Sequence, residues 1–147
     1  MGETTSLSKV GRSFRSTQAT GTGGPAYSET LPRVGESAGV ARRLVQHALG
    51  VWHLDVLADP AALVISELVT NAVEHARGEN LRVTVARLDD DGVHVSVVDK
   101  SRTWPTPQNP DLDDVDGRGL VLIEHMAKQW GTEPKPWGKL VWAELRP

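Results

Sequence analysis

Three short stretches of this chain carry groups suited to chemistry. In the run from Ala61 to Ala76, Glu67, Asn71 and Glu74 fall on one arc of a helix, with His75 at its edge. Glu67 and Asn71 are four residues apart, so a carboxylate and a carboxamide can act on one bound object; the alternative is the solvated side of an ordinary amphipathic helix. Asn is a mediocre helix former because its side chain competes for backbone hydrogen bonds, and a water-facing position does not compensate for that. Asp99 closes the alternation Val93, Val95, Val97, whose parity puts the carboxylate in the row that should face the core. Buried there it needs a donor, because desolvating it alone is costly. Otherwise it has already left the strand, to cap a turn or to pair with Lys100 or Arg102. Gly117-Arg118-Gly119-Leu120 opens an apolar run. It is either a tight turn or a helix start whose free N–H groups meet an anion, helped by the forked donors of Arg118.

These groups must be held by regular elements. Ile65, Leu68, Val69, Ala72, Val73 and Ala76 recur at helical spacing; Asp59-Pro60 supplies an N-cap and a first-turn proline, and the helix should end near Arg77-Gly78. A helix running on from Val34 turns Val40, Leu44, Val45, Ala48 and Leu49 inward and Arg42 and Arg43 outward, and Gly50 closes it. Tyr27 to Leu31 forms a first strand, stopped by Pro32. Leu81, Val83 and Val85, then Asp89-Asp90-Asp91-Gly92, then Val93, Val95 and Val97 predict a hairpin. Trp104 to Asp116, with three prolines and four aspartates, is a long loop, functional or merely solvated. Val121, Leu122, Ile123 and Met126 belong to a third helix. After Trp130-Gly131 the chain turns through Pro134 and Pro136 into a final strand, Gly138 to Leu145, and Trp130, Trp137 and Trp142 are expected to fill the core. Residues 1–26 have the Ser, Thr and Gly content of a disordered tail, leaving one folded domain over 27–147. The expected fold is an α/β (α+β) two-layer sandwich, helices on one face of a mostly antiparallel mixed sheet.

Composition sets outer bounds. The 147 residues fit one domain with a real core, and a net charge of −3 without a basic block argues against nucleic acid as the main partner. No cysteine is present, which excludes disulfides and thiolate metal sites, and the five histidines lack zinc-site spacing. No apolar run is expected to span a membrane and no leader opens the chain, so the expected location is the cytoplasm.

Glu67-Leu-Val-Thr-Asn-Ala-Val-Glu-His-Ala76 resembles the N box of the Bergerat-fold ATPases, the superfamily of gyrase and the sensor histidine kinases. The Asn-Ala pair with a following His looks most like the stand-alone anti-sigma-factor serine kinases of the actinobacterial regulatory type, and Leu31-Pro-Arg-Val through Ala41-Arg-Arg-Leu-Val resembles their opening. The resemblance runs from about Tyr27 to Leu145, with its motifs in family order. It implies ATP and Mg²⁺ as cofactors, with Asn71 as the metal ligand through its side-chain oxygen and Glu67 as general base. It implies that Asp99 accepts the exocyclic amine of adenine, and that Gly117, Arg118, Gly119 and Leu120 form the second glycine box beneath a lid, residues 104–116. Ser101 stands where the family usually has the first glycine after this aspartate, and is similar to an Asp-x-Ser form. His75 lies one turn past Asn71, placed to touch phosphate or to stabilise the helix. Lys139 belongs to Gly-Lys-Leu-Val-Trp, which resembles the closing nucleotide-site strand; Leu140 replaces a threonine there, a loss of about 1 kcal/mol of hydrogen bonding. Two functions follow. One is a serine kinase that phosphorylates a small anti-sigma-factor antagonist and controls a sigma factor, working as a homodimer. The other is a regulatory module that binds nucleotide or a partner without phosphoryl transfer. A complete sensor histidine kinase does not fit the length.

Overall fold

The structure, a computed structural model, describes residues 15–17, 25–76, 78–99 and 117–147, the first three and 117–120 by their backbone alone. The elements in order are β1 (Arg15–Thr17), β2 (Ala26–Pro32), α1 (Ser37–Val51), a 3-10 turn (Asp55–Leu57), α2 (Ala58–His75), β3 (Asn80–Arg87), β4 (Val93–Asp99), α3 (Gly117–Met126), β5 (Gln129–Lys135) and β6 (Gly138–Leu145). The strands form one sheet in the order β1-β2-β3-β4-β6-β5, and every neighbouring pair is antiparallel. One crossover gives this order: α1 and α2 connect the neighbours β2 and β3, whereas α3 carries the chain from β4 past the position of β6 to β5, and the β5–β6 hairpin returns it beside β4. β1 falls inside the stretch expected to be tail. It is a correction to that expectation, as is Ala26, which already belongs to β2; the rest of 1–24 lies outside the described residues.

All three helices pack on one face of the sheet. That face is built by Tyr27 and Leu31, by Leu81, Val83 and Val85, by Val93, Val95 and Val97, and by Ala143 and Leu145, all buried against Leu44, Val45, Ala48 and Leu49 of α1 and Val64, Ile65, Leu68 and Val69 of α2. Period two in the strands and period 3.6 in the helices thus meet in one apolar layer. By length and hydropathy Asp55–His75 would suffice to cross a membrane, contrary to the expectation that no segment would. Here its apolar side is the centre of the core, as in the helix of a packed two-layer domain.

Two helix ends differ from their expected signals. Gly50 lies within α1, and the stop is made by His53 in the left-handed region (φ 59°). Its N–H donates to the Gly50 carbonyl (3.2 Å) and the Leu54 N–H to the Leu49 carbonyl (2.8 Å), with Leu49 and Leu54 both buried, which makes a Schellman cap. Asp59 is a first-turn residue rather than the N-cap, because the 3-10 turn sets the chain into α2 two residues earlier, with Leu57 as the N-cap. β5 is a strand where a turn was expected. Pro134 is tolerated because β5 is the outer strand, and Gly131 makes room for the Trp142 ring, whose nearest atoms would lie 3.1 Å from an added Cβ. The tryptophans correct another expectation. Trp137 is exposed and Trp142 lies on the face away from the helices, stacked on His94 at 5.3 Å; Trp130 packs against the core, and among the described residues the buried tryptophan is Trp52. Burial in that stack lowers the His94 pKa.

The β3–β4 turn is pinned from outside. Arg146 donates to both carboxylate oxygens of Asp89 (3.0 and 2.9 Å), to Asp91 (2.9 Å) and to Glu144 (2.7 Å), and the guanidinium holds the Asp89 carboxyl down at about 2.

Candidate functional site

α2, β4 and α3 bring their functional groups to one end of the sandwich, and register shows how. α2 ends at His75 and the chain re-enters the sheet at Asn80, so the last turn of α2 lies beside the start of β3. Leu81, the next residue, is paired with Asp99, and Asp99 in turn with Lys139 of β6. The C-terminal turns of α2 and the end of β4 therefore share one end of the sheet, and α2 packs directly on β4. α3 packs on α2 and β5 and delivers the chain to Gln129, which is opposite Glu144 at the other end. Its N-terminal end, Gly117, is accordingly turned toward the Asp99 end.

Asp99 is 7% exposed and continues the buried row of Val93, Val95 and Val97, so the strand reading of this residue holds and the early-exit alternative does not. A carboxylate at the margin of an apolar layer, directly across from a lysine, is a strong and oriented acceptor. Asn71 and Glu67 are half-buried on α2, one turn apart, and among the described residues neither side chain is engaged by another protein group. His75 sits at the rim, its Nε2 3.7 Å from Glu74 Oε1 with both side chains partly exposed. Gly117 to Leu120 form the first turn of α3, so the helix starts at the glycine box itself; the side chains of Arg118 and Leu120 lie outside the described residues, as do Ser101 and the expected lid, 104–116. Lys139 shares the helix-facing row of Asp99, whereas Leu140 is paired with Val98 and projects from the opposite face. The threonine-to-leucine difference therefore removes nothing from the Asp99 side, which corrects the expected weakening.

One residue that the sequence does not point to is Arg33. It reaches from the β2–α1 connection to the end of α2, where Nη1 donates to the Val73 carbonyl (2.8 Å) and Nε to the Gly78 carbonyl (2.7 Å). Only its place in Leu-Pro-Arg-Val, beside the strand end, could have drawn attention to it.

The donor set fits a nucleotide with a hard cation. No group of three His, Cys, Asp or Glu that could hold a metal exists among the described residues, so a cation here would take one side-chain oxygen, that of Asn71, and draw its other ligands from phosphate and water, the usual habit of Mg²⁺. A helix N-terminus faces the same end, where backbone N–H groups and the dipole favour an anion. The antiparallel sheet with helices packed on one face is consistent with the comparison by sequence. The profile of the histidine kinase-like ATPase domain matches residues 32–144, from the last residue of β2 to the strand beside Asp99, and the chain thus belongs to this family of ATP-binding domains.

Proposed function

We propose that this domain is a serine/threonine kinase of the anti-sigma-factor type, which phosphorylates a small antagonist protein and so controls a sigma factor. The observation that carries the reading is Glu67, half-buried one turn before Asn71 on the same side of α2. A domain that only held nucleotide would need Asn71 and Asp99 but would have no use for a carboxylate there.

In this reading Asp99 accepts the amine of adenine and so rejects guanine, which presents a carbonyl at that place. Asn71 holds Mg²⁺, and the first turn of α3, with Arg118, receives the phosphates. Bound ATP supplies the transferable phosphoryl group. Glu67 orients the serine hydroxyl of the protein substrate and takes its proton as the new oxygen–phosphorus bond forms, while ADP leaves. Lys139, across from Asp99, adds positive charge to the pocket. The active form is a homodimer by the same family likeness.

The test is phosphoryl transfer from radiolabelled ATP to small antagonist proteins from the same organism, followed on gels and by mass spectrometry of the modified serine. Glu67→Gln should lower transfer by roughly 100- to 10,000-fold while leaving ATP binding within a factor of about three. Wild-type protein that binds ATP and modifies no serine would support the non-catalytic module instead.

A further inference from the structure

We infer that Arg33 is a positioning residue for metal-dependent nucleotide binding: it fixes the last turn of α2, and through it the Asn71 side chain. The inference rests on the nucleotide site proposed above. β2 and β3 are neighbours with Pro32 opposite Asn80, so the end of one and the start of the other meet at one end of the sheet. The Arg33 N–H extends this ladder by one rung, donating to the Glu79 carbonyl at 2.9 Å. From that anchored backbone the side chain crosses to α2. Val73 lies in the last turn of the helix, and Nη1 donates to its carbonyl at 2.8 Å. Nε donates to the Gly78 carbonyl at 2.7 Å, beyond the helix end, where Gly78 takes a left-handed φ of 93°. One guanidinium therefore ties three segments together, the β2–α1 connection, the end of α2 and the turn into β3. Its charge also lies at the negative end of the helix dipole.

Asn71 is two residues before Val73. A helix end without such a tie frays within its final turn, and a single carboxamide oxygen serving a demanding octahedral cation tolerates little displacement. Lysine cannot replace the arginine, because its ammonium has no fixed fork with which to hold two carbonyls in set directions. Base recognition stands apart from this device: Asp99 is held by the β3 and β6 ladders.

The experiment titrates Mg²⁺ against a fluorescent ATP analogue for wild type, Arg33→Ala, Arg33→Lys and Ser37→Ala. Ser37 is a control for general loss of stability, since its Oγ donates to the Pro32 carbonyl at 2.6 Å next to Arg33 and, among the described residues, makes no hydrogen bond to α2. Both Arg33 variants should need roughly 10- to 100-fold more Mg²⁺ for half-maximal binding, the usual effect of removing an outer-shell support. Ser37→Ala should melt earlier with an unchanged Mg²⁺ midpoint, and the preference for ATP over GTP should survive in all four proteins. Arg33 variants that melt earlier but keep the wild-type Mg²⁺ midpoint would overturn the inference alone. Wild-type protein with no Mg²⁺-dependent binding would overturn the nucleotide site and the inference with it.

Discussion

Replacing Asp99 by Asn separates base recognition from folding. The residue is 7% exposed at the end of an apolar row, so a hydrogen bond to its carboxylate is made with little competition from water. Hydrogen bonds to a charged acceptor contribute about 1.5–3 kcal/mol. At about 1.4 kcal/mol per factor of ten, Asp99→Asn should weaken ATP binding roughly 10- to 150-fold. The substitution keeps the volume and one acceptor oxygen, so the strand pairs with Leu81 and Lys139 persist and the ligand-free melting temperature should move little. GTP should respond in the opposite direction, because the new amide can donate to the guanine carbonyl that a carboxylate repels. Isothermal titration of both nucleotides with Mg²⁺ against both proteins reads the two effects together. An Asp99→Asn protein that melts like wild type and binds ATP within twofold of it would place the base elsewhere and refute the reasoning.

Two further predictions concern the scaffold. The Asp89 carboxyl sits at about 2 instead of 3.8 because of Arg146, so the stability from this contact is complete above the ordinary carboxylate range and is lost as the pH falls through about 2. Arg146→Met should therefore lower the melting temperature at neutral pH, with the gap from wild type closing in acid; a constant gap would disprove the ion-pair account. His53→Gly should stabilise the protein by about 0.5–1 kcal/mol, since glycine adopts the left-handed conformation without the penalty a side chain incurs. That corresponds to a rise of about 1–4 °C in a thermal melt, and a fall would contradict the Schellman cap.

Most of the positioning frame is legible in the sequence because its signals are local. Val83, Val85, Val95 and Val97 alternate on either side of Asp-Gly, and the expected β3–β4 hairpin forms there, with Val83 opposite Val97 and Val85 opposite Val95. Ile65, Leu68 and Val69 recur at helical spacing and are buried as expected, which fixes the opposite arc with Glu67 and Asn71. The misses have a different origin. His53 carries no residue-type signal for a left-handed cap, so Gly50 attracts the helix end wrongly. Gly131 and Pro134 disguise β5 as a turn, because an outer strand can leave a proline unpaired and a glycine can serve a neighbouring indole. Leu140 is misjudged for want of register, since only the pairing with Val98 reveals which side of β6 it occupies. Arg33 escapes notice because its partners are backbone carbonyls about 40 residues away, and carbonyls leave no mark in a sequence.

The place of β6 inside the sheet has a kinetic consequence. The β3–β4 and β5–β6 hairpins can form by local search, but Asp99 and Lys139 are 139 − 99 = 40 residues apart, and Leu31 and Leu81 are 81 − 31 = 50 apart. Closing such loops before any contact rewards them is slow. The two hairpins should therefore collapse early as separate units, and their docking should set the folding rate. The row that runs through Leu31, Leu81, Asp99 and Lys139 is then among the last parts of the molecule to exist, so the Asp99 end of the sheet is complete only once the chain has finished refolding.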